Sequence, residues 1–255
     1  MYKSPPENNR IRFEASLFLC MCLSPFLMAC AQENPSKNNG KETSYRVGKA
    51  SRDGIGKWYF GREIAKTMDF AGAPWLERTD RNEEENTELA IEKLPLRPSS
   101  VVADLGAGTG YYAFRMAKKV TQGKVFAIDI QDRFVEFLEE RRKELKISNL
   151  FPTKGTDSSI EMEKGSLDMV LMVDVYHELE FPQEMLRSIH RSLKSDGKLV
   201  LIEFRGEDPS IPIKQLHKMT VAQVKKELKE NGFKLSYNGD FLPIQHFLIF
   251  EKSVQ

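Results

Sequence analysis

The chain has 255 residues, a length that suits one domain with short additions at its ends. Apolar residues make up 40% of it, enough for a proper core, and 38 Lys and Arg against 37 Asp and Glu leave a formal net charge of +1, so no broad basic face for nucleic acid is indicated. All three cysteines, Cys20, Cys22 and Cys30, lie near the N-terminus, so neither a disulfide framework nor a cysteine zinc site can be built in the rest of the chain.

Lys3, Arg10 and Arg12 precede an apolar run from Ala15 to Ala31, which Glu14 borders and Pro25 interrupts. The run falls short of the roughly 20 apolar residues of a transmembrane helix. A basic region, an apolar region and a small residue before a cut read as an export signal over residues 1–29. Its end, Leu27-Met28-Ala29-Cys30, resembles the lipobox of bacterial lipoproteins, where the cysteine is lipidated and becomes the first mature residue. That resemblance implies a lipid on Cys30 and a lipoprotein anchored on the periplasmic or outer side of a bacterial membrane, with no other membrane contact; an uncleaved leader would instead leave the protein cytoplasmic. Residues 30–52 carry Asn, Lys, Ser, Gly and Pro with almost no large apolar side chains and are expected to be a disordered tether.

Residues 53–98 are expected to form a helical cap ahead of the core. Gly54-Ile55-Gly56-Lys57-Trp58-Tyr59-Phe60-Gly61 sets three aromatics among three glycines, Arg62 to Phe70 reads as a helix, and Asp80 to Leu94 reads as another, with Asn82 as its cap and Glu83, Glu84 and Glu85 in its first turn. Trp58, Tyr59 and Trp75 are candidates for covering a pocket, or equally for ordinary packing on the sheet.

Pro95 and Pro98 end that helix, and Val101-Val102-Ala103 opens a strand apolar on both faces, as a central parallel strand is. Gly106, Gly108 and Gly110 follow in a sharp turn into a helix over Tyr111 to Val120, which would set free backbone N–H groups at a helix start, ready for an anion. The nicotinamide fingerprint requires glycine at the position of Tyr111 and is not met. A second strand, Lys124 to Ile128, ends in Asp129, about 20 residues beyond the glycines, where an α/β nucleotide site places a carboxylate on the ribose hydroxyls. Such a carboxylate, at the end of a strand, is expected to contribute little to stability.

Arg133 to Lys146 is an amphipathic helix and Phe151 to Lys154 a short third strand, followed by Gly155-Thr156-Asp157. The fourth strand, Leu167 to Val173, runs into Asp174-Val175-Tyr176-His177-Glu178. In an open α/β sheet ligands bind where the strand order reverses, so these residues are well placed for chemistry. His177 could accept a substrate proton near neutral pH, or only hydrogen-bond its loop. No metal site is expected from His177 and Glu178 alone, because neighbours in sequence seldom converge on one ion and no partner pair is visible. Gln183 to Leu193 is a helix, Ser195-Asp196-Gly197 a turn and Lys198 to Phe204 the fifth strand; Glu207 to Ile213, with Pro209 and Pro212, is a loop over the pocket mouth. Thr220-x-x-Gln223 caps a helix that stops at Asn231-Gly232, and Lys234 to Tyr237 and His246 to Lys252 are the last strands.

The order acid, one residue, Gly-x-Gly-x-Gly, in Asp104-Leu105-Gly106-Ala107-Gly108-Thr109-Gly110, resembles the first motif of the class I S-adenosylmethionine (SAM) methyltransferases, and the turn from Leu193 to Leu199 resembles the corresponding turn of that family. The likeness runs from Ser99 to Lys252, within a domain set at 99–255. It implies an α/β, Rossmann-like, seven-stranded, mostly parallel sheet with helices on both faces and an antiparallel C-terminal hairpin. It also implies S-adenosyl-L-methionine as cofactor, bound by the glycine loop, with Asp104 meeting the methionine ammonium, Asp129 both ribose hydroxyls, Ile130 the adenine face and Asp157 the adenine amino group; this acid stands one position later than is usual. Asp174 completes the expected cofactor set. The implied reaction is in-line displacement of methyl onto a small-molecule acceptor. The rival reading is an exported lipoprotein of the same fold that binds a ligand without catalysis, since SAM is made in the cytosol.

Overall fold

The computed structural model describes residues 44–253; the expected leader, Cys30 and residues 30–43 of the expected tether lie outside the described residues. Among the described residues no helix is long and apolar enough to cross a membrane.

The segment before the core departs from the helical expectation. Strands β1 (Tyr45–Val47), β2 (Gly54–Tyr59) and β3 (Arg62–Ala65) form a small antiparallel sheet. Residues 45–47 of the expected tether are thus a strand, and the cap is helical only from residue 70 onward, beginning with a short 3-10 turn over Phe70–Gly72. The physical cause is the tight turn Phe60-Gly61: Tyr59 pairs with Arg62, and both turn residues have positive φ, 46° and 100°. That backbone twist matches the twist of two paired strands. Arg62 is then drawn inward, its Nε donating to Glu227 Oε1 at 2.7 Å. Three short helices follow, α1 (Ala73–Leu76), α2 (Arg81–Glu85) and α3 (Thr87–Lys93). The single helix expected from residue 80 to 94 breaks at Asn86, with φ at 53°, and Asn82 Oδ1 accepts from Thr87 Oγ1 at 2.8 Å and the Glu88 amide at 3.0 Å.

The core alternates strand and helix: β4 (Val101–Leu105), α4 (Tyr111–Lys119), β5 (Lys124–Asp129), α5 (Asp132–Glu144), β6 (Leu150–Lys154), β7 (Leu167–Val173), α6 (Pro182–Ser192), β8 (Leu193–Phe204), α7 (Val221–Glu230), β9 (Phe233–Gly239) and β10 (Gln245–Lys252). The sheet runs in the order β6-β5-β4-β7-β8-β10-β9, with β4 to β8 mutually parallel and β10 antiparallel to both its neighbours. This is the expected seven-stranded, mostly parallel Rossmann-like architecture with its antiparallel C-terminal hairpin. Alternate residues of the central strands enter two separate cores. Val102, Met169 and Val200 pack with Ala113, Met116 and Ala117 of α4 on one face; Ala103, Val170 and Leu201 pack with Leu186 of α6 and Val224 of α7 on the other. From β4 the chain first builds outward through β5 and β6, then returns to place β7 on the opposite side. The carboxyl ends of β4 and β7 therefore diverge into a crevice, the expected switch point.

Candidate active site

The glycine loop is held by its neighbours. Gly106 and Gly110 have φ of 73° and 80°, and a Cβ on Gly106 would stand 2.5 Å from Val175 Cγ2, so only glycine lets the turn after β4 approach the turn after β7. The amides of Gly106 and Ala107 both donate to the Ile128 carbonyl, at 2.8 and 3.0 Å, and that of Gly110 donates to the Ala107 carbonyl at 2.8 Å. Gly108 donates its amide to Asp129 Oδ2 at 2.9 Å. These four loop N–H groups are spent inside the protein.

Asp129 is buried at the end of β5, and its other oxygen, Oδ1, accepts from the Gln131 amide at 2.9 Å. Burial raises its pKa, against the amides of Gln131, Gly108 and Ile130, which lower it. A carboxylate has about four acceptor positions. Two are taken here, so each oxygen can accept one further hydrogen bond.

Asp104 is also buried, and burial pushes its pKa up to about 7 against the Ala113 amide and Arg81, which pull it down. It opens not onto the main cavity but onto a small adjoining one of about 30 Å³, together with Arg81, Thr109 and Tyr112. Thr109 Oγ1 and Tyr112 OH are buried there without a hydrogen-bond partner. Asp174 follows β7 in a left-handed conformation (φ 53°), uncommon for a residue with a side chain. Its Oδ2 accepts from Gln245 Nε2 at 2.7 Å, and its Oδ1 is buried without a partner. Burial, then Glu85 and Glu203, raises the Asp174 pKa well above the ordinary range. Arg81 Nε donates to Glu85 Oε2 at 2.9 Å, a buried ion pair on α2 that closes this end of the site.

His177 is buried, with Nδ1 2.6 Å from Glu203 Oε2 and Nε2 3.1 Å from His217 Nδ1. Glu203 is itself fixed, its Oε1 accepting from the Tyr176 amide at 2.8 Å and the Val175 amide at 3.2 Å. Burial alone would lower the His177 pKa; Glu203 and then Glu178 outweigh it and bring it to about 10. Both ring nitrogens of His177, expected from the sequence as a possible general base, are therefore engaged, one by Glu203 and one by His217.

A cavity of about 440 Å³ joins these parts. Of the residues expected at the site, Gly106, Gly108, Asp129, Ile130, Asp157, Asp174 and His177 line it, while Asp104 lines the small neighbour and Gly110 lines neither. Gly110 is a packing residue: a Cβ there would lie 2.6 Å from Leu138 Cδ2 and Phe114 Cε2. Asp157 is exposed, and Ser158 Oγ donates to its Oδ1 at 2.9 Å. Of the three aromatic cover candidates only Trp75 lines the cavity; Tyr59 is in the core and Trp58 lies under Arg46. The loop after β8 does reach the mouth, through Pro212, Ile213, Lys214 and His217. Arg81, Glu85, Glu203 and His217 were not anticipated. Glu203 carried a signal, a single charge in the apolar run Leu199 to Phe204; His217 carried none.

Residues 96–246 match the family described as a methyltransferase domain. A demethylmenaquinone methyltransferase from Lactococcus lactis subsp. lactis is 30% identical over 113 residues, covering 44% of this chain and 44% of the relative. A tRNA U34 carboxymethyltransferase from Helicobacter pylori is 28% identical over 141 residues, covering 54% of this chain and 52% of the relative. The chain thus spans about half the length of the curated relatives it matches. Among solved structures, a SAM-dependent methyltransferase from Aquifex aeolicus superimposes with a TM-score of 0.68 over 72% of this chain and 98% of that one, at 23% identity, a likeness of fold.

Proposed function

The chain belongs to the methyltransferase-domain family, and from that premise we propose that it transfers the methyl group of S-adenosyl-L-methionine to a small-molecule acceptor. The observation that carries the reading is Asp129: a carboxylate fixed by two loop amides, with one acceptor position left on each oxygen, at the edge of the cavity. That is the arrangement a vicinal pair of ribose hydroxyls requires. Ile130 and Asp157, on the same wall, suit the adenine face and its amino group. At the far end, the partnerless Thr109 Oγ1 and Tyr112 OH suit a carboxylate, and Asp104 and the free Asp174 Oδ1 suit an ammonium. An amino-acid end would thereby be matched, whereas a pyrophosphate would find the amides of Gly106, Ala107, Gly108 and Gly110 already used. When bound, SAM supplies a methyl carbon on a sulfonium whose charge is lost as the methyl leaves, so an apolar pocket does not oppose the reaction.

The chain's own contribution is positioning and the exclusion of water. Met68 and Trp75 from the N-terminal segment and the Pro212-to-His217 stretch wall the cavity, whose volume suits a small ligand. A net charge of +1, with no basic excess, favours a small acceptor over RNA. The Leu27-Met28-Ala29-Cys30 pattern supports export and a lipid anchor at Cys30. The test is methyl-labelled SAM incubated with the protein and, separately, with small-molecule, RNA and protein fractions of a cell extract. Label is expected in a small molecule; label only in RNA or only in protein would overturn the acceptor class, and no transfer at all would favour a ligand-binding protein.

A further inference from the structure

We propose that His177, Glu178 and His217 form a binding site for one divalent transition-metal ion, with its open coordination position facing the cavity. The absence of a metal site expected from the sequence rested on His177 and Glu178 having no partner. The fold supplies one: His217, in the short turn Gln215–His217, is brought against the turn that follows β7.

The geometry points to an ion rather than to a chance cluster. His177 Nε2 and His217 Nδ1 are 3.1 Å apart, His217 Nδ1 and Glu178 Oε1 3.4 Å, and His177 Nε2 and Glu178 Oε1 3.8 Å. Ligands held at about 2.1 Å around a tetrahedral ion stand about 3.4 Å from one another. The three observed separations bracket that value, so little movement is needed. Metal-bound histidines usually give their second ring nitrogen to a carboxylate or carbonyl, which fixes the tautomer and the ring. Glu203 does this for His177, on Nδ1 at 2.6 Å, and leaves Nε2 directed at His217 and Glu178. Glu178 is held from behind by the Met68 amide at 3.2 Å. Two carboxylates, the buried Glu203 and the half-buried Glu178, beside two imidazoles also balance the charge of a divalent ion.

The donor set selects the metal. Two imidazole nitrogens and one carboxylate oxygen suit zinc, iron, cobalt or nickel, whereas calcium and magnesium favour oxygen ligands. Three protein ligands leave a position open, as in zinc sites that work on a ligand. Because all three residues line the 440 Å³ cavity, that position is open to a molecule carrying an anionic oxygen or sulfur. In this last respect the inference rests on the proposed function, since the molecule held there would be the methyl acceptor. Ligation would also pin the stretch after β8 to the end of β7.

The test uses the untagged chain, freed of metal by a chelator, with zinc and cobalt(II) as probes. Calorimetry should give one zinc per chain, and cobalt(II) should develop the intense visible bands of a four-coordinate site. His217→Ala should weaken zinc binding by at least about 100-fold, and Glu203→Gln, which touches no ion, by about 10- to 100-fold. No zinc binding by wild type, an octahedral, water-like cobalt spectrum, or equal zinc affinity in His217→Ala would overturn the site. The wild-type spectrum decides the matter even if a variant fails to fold. SAM is titrated in parallel: SAM binding without zinc binding removes this inference alone, and zinc binding without SAM binding removes the proposed function alone.

Discussion

Asp129→Ala probes the cofactor site and the loop beneath it at once. A hydrogen bond to a charged acceptor contributes about 1.5–3 kcal/mol, and about 1.4 kcal/mol is a tenfold change in affinity. Loss of even one ribose hydroxyl's acceptor should therefore weaken SAM binding at least about tenfold, and loss of both by about 100-fold or more. The same change removes the acceptor from the Gly108 amide, which the fold buries. An orphaned buried N–H costs about 1–3 kcal/mol, and relief of a carboxylate whose pKa burial has raised offsets part of that. For a protein of this size the melting temperature should fall by a few degrees. This replaces the expectation that Asp129 contributes little to stability, because its carboxylate ties the glycine loop to β5. Asp129→Asn keeps one acceptor oxygen but sets an amide N–H against one of the two backbone donors, so it should lie between wild type and alanine in affinity. The assay is calorimetric titration of SAM below the melting point of each variant, paired with thermal melts. A folded Asp129→Ala protein that binds SAM as tightly as wild type would refute the assignment of Asp129 to the ribose.

Burial raises the Asp104 pKa to about 7, so ionising it opposes folding; the stability it contributes is present below the ordinary carboxylate pKa and is lost as pH rises through about 7. Asp104→Asn should therefore gain thermal stability relative to wild type between about pH 5 and pH 8, and parallel melting profiles across that range would contradict the burial argument. Gly110→Ala should lower stability by more than about 1 kcal/mol, through its positive φ and its contacts with Leu138 and Phe114, while the remaining folded protein keeps wild-type SAM affinity; the reverse pattern would return Gly110 to the binding site. Cys30→Ser should abolish acylation and move the protein from the membrane to the soluble fraction, and intact protein retaining Met1 in the cytosol would refute the lipoprotein reading.

The large sheet was legible because its central strands are covered on both faces. Val101 to Ala103, Lys124 to Ile128 and Leu167 to Val173 read as apolar runs that end in Gly or Asp, and those ends line the switch-point crevice. The first sheet was hidden for two reasons. Its turn places Phe60, a residue with a side chain, at positive φ, and Arg62 is stabilised by Glu227, 165 residues further on, so local propensity did not set the outcome. In the site, Gly106, Gly108 and Asp129 could be found because motif spacing marks them, and His177 because it follows the fourth strand at the switch point. His217 lies 40 residues from His177 and meets it only because the stretch after β8 folds back over the cavity. Glu203 was readable in principle, since a single carboxylate in the buried run Leu199 to Phe204 needs a partner, and His177 is that partner.

Native mass spectrometry of the purified full chain addresses the cofactor site most directly. If Asp129, the glycine loop and the two cavities hold SAM, the spectrum should show the chain with one molecule of SAM or of its demethylated product, either co-purified or after addition of SAM, and Asp129→Ala should lose that adduct at equal concentration. A wild-type chain that stays free of adduct at saturating SAM, with an unchanged melting temperature, would contradict the assignment.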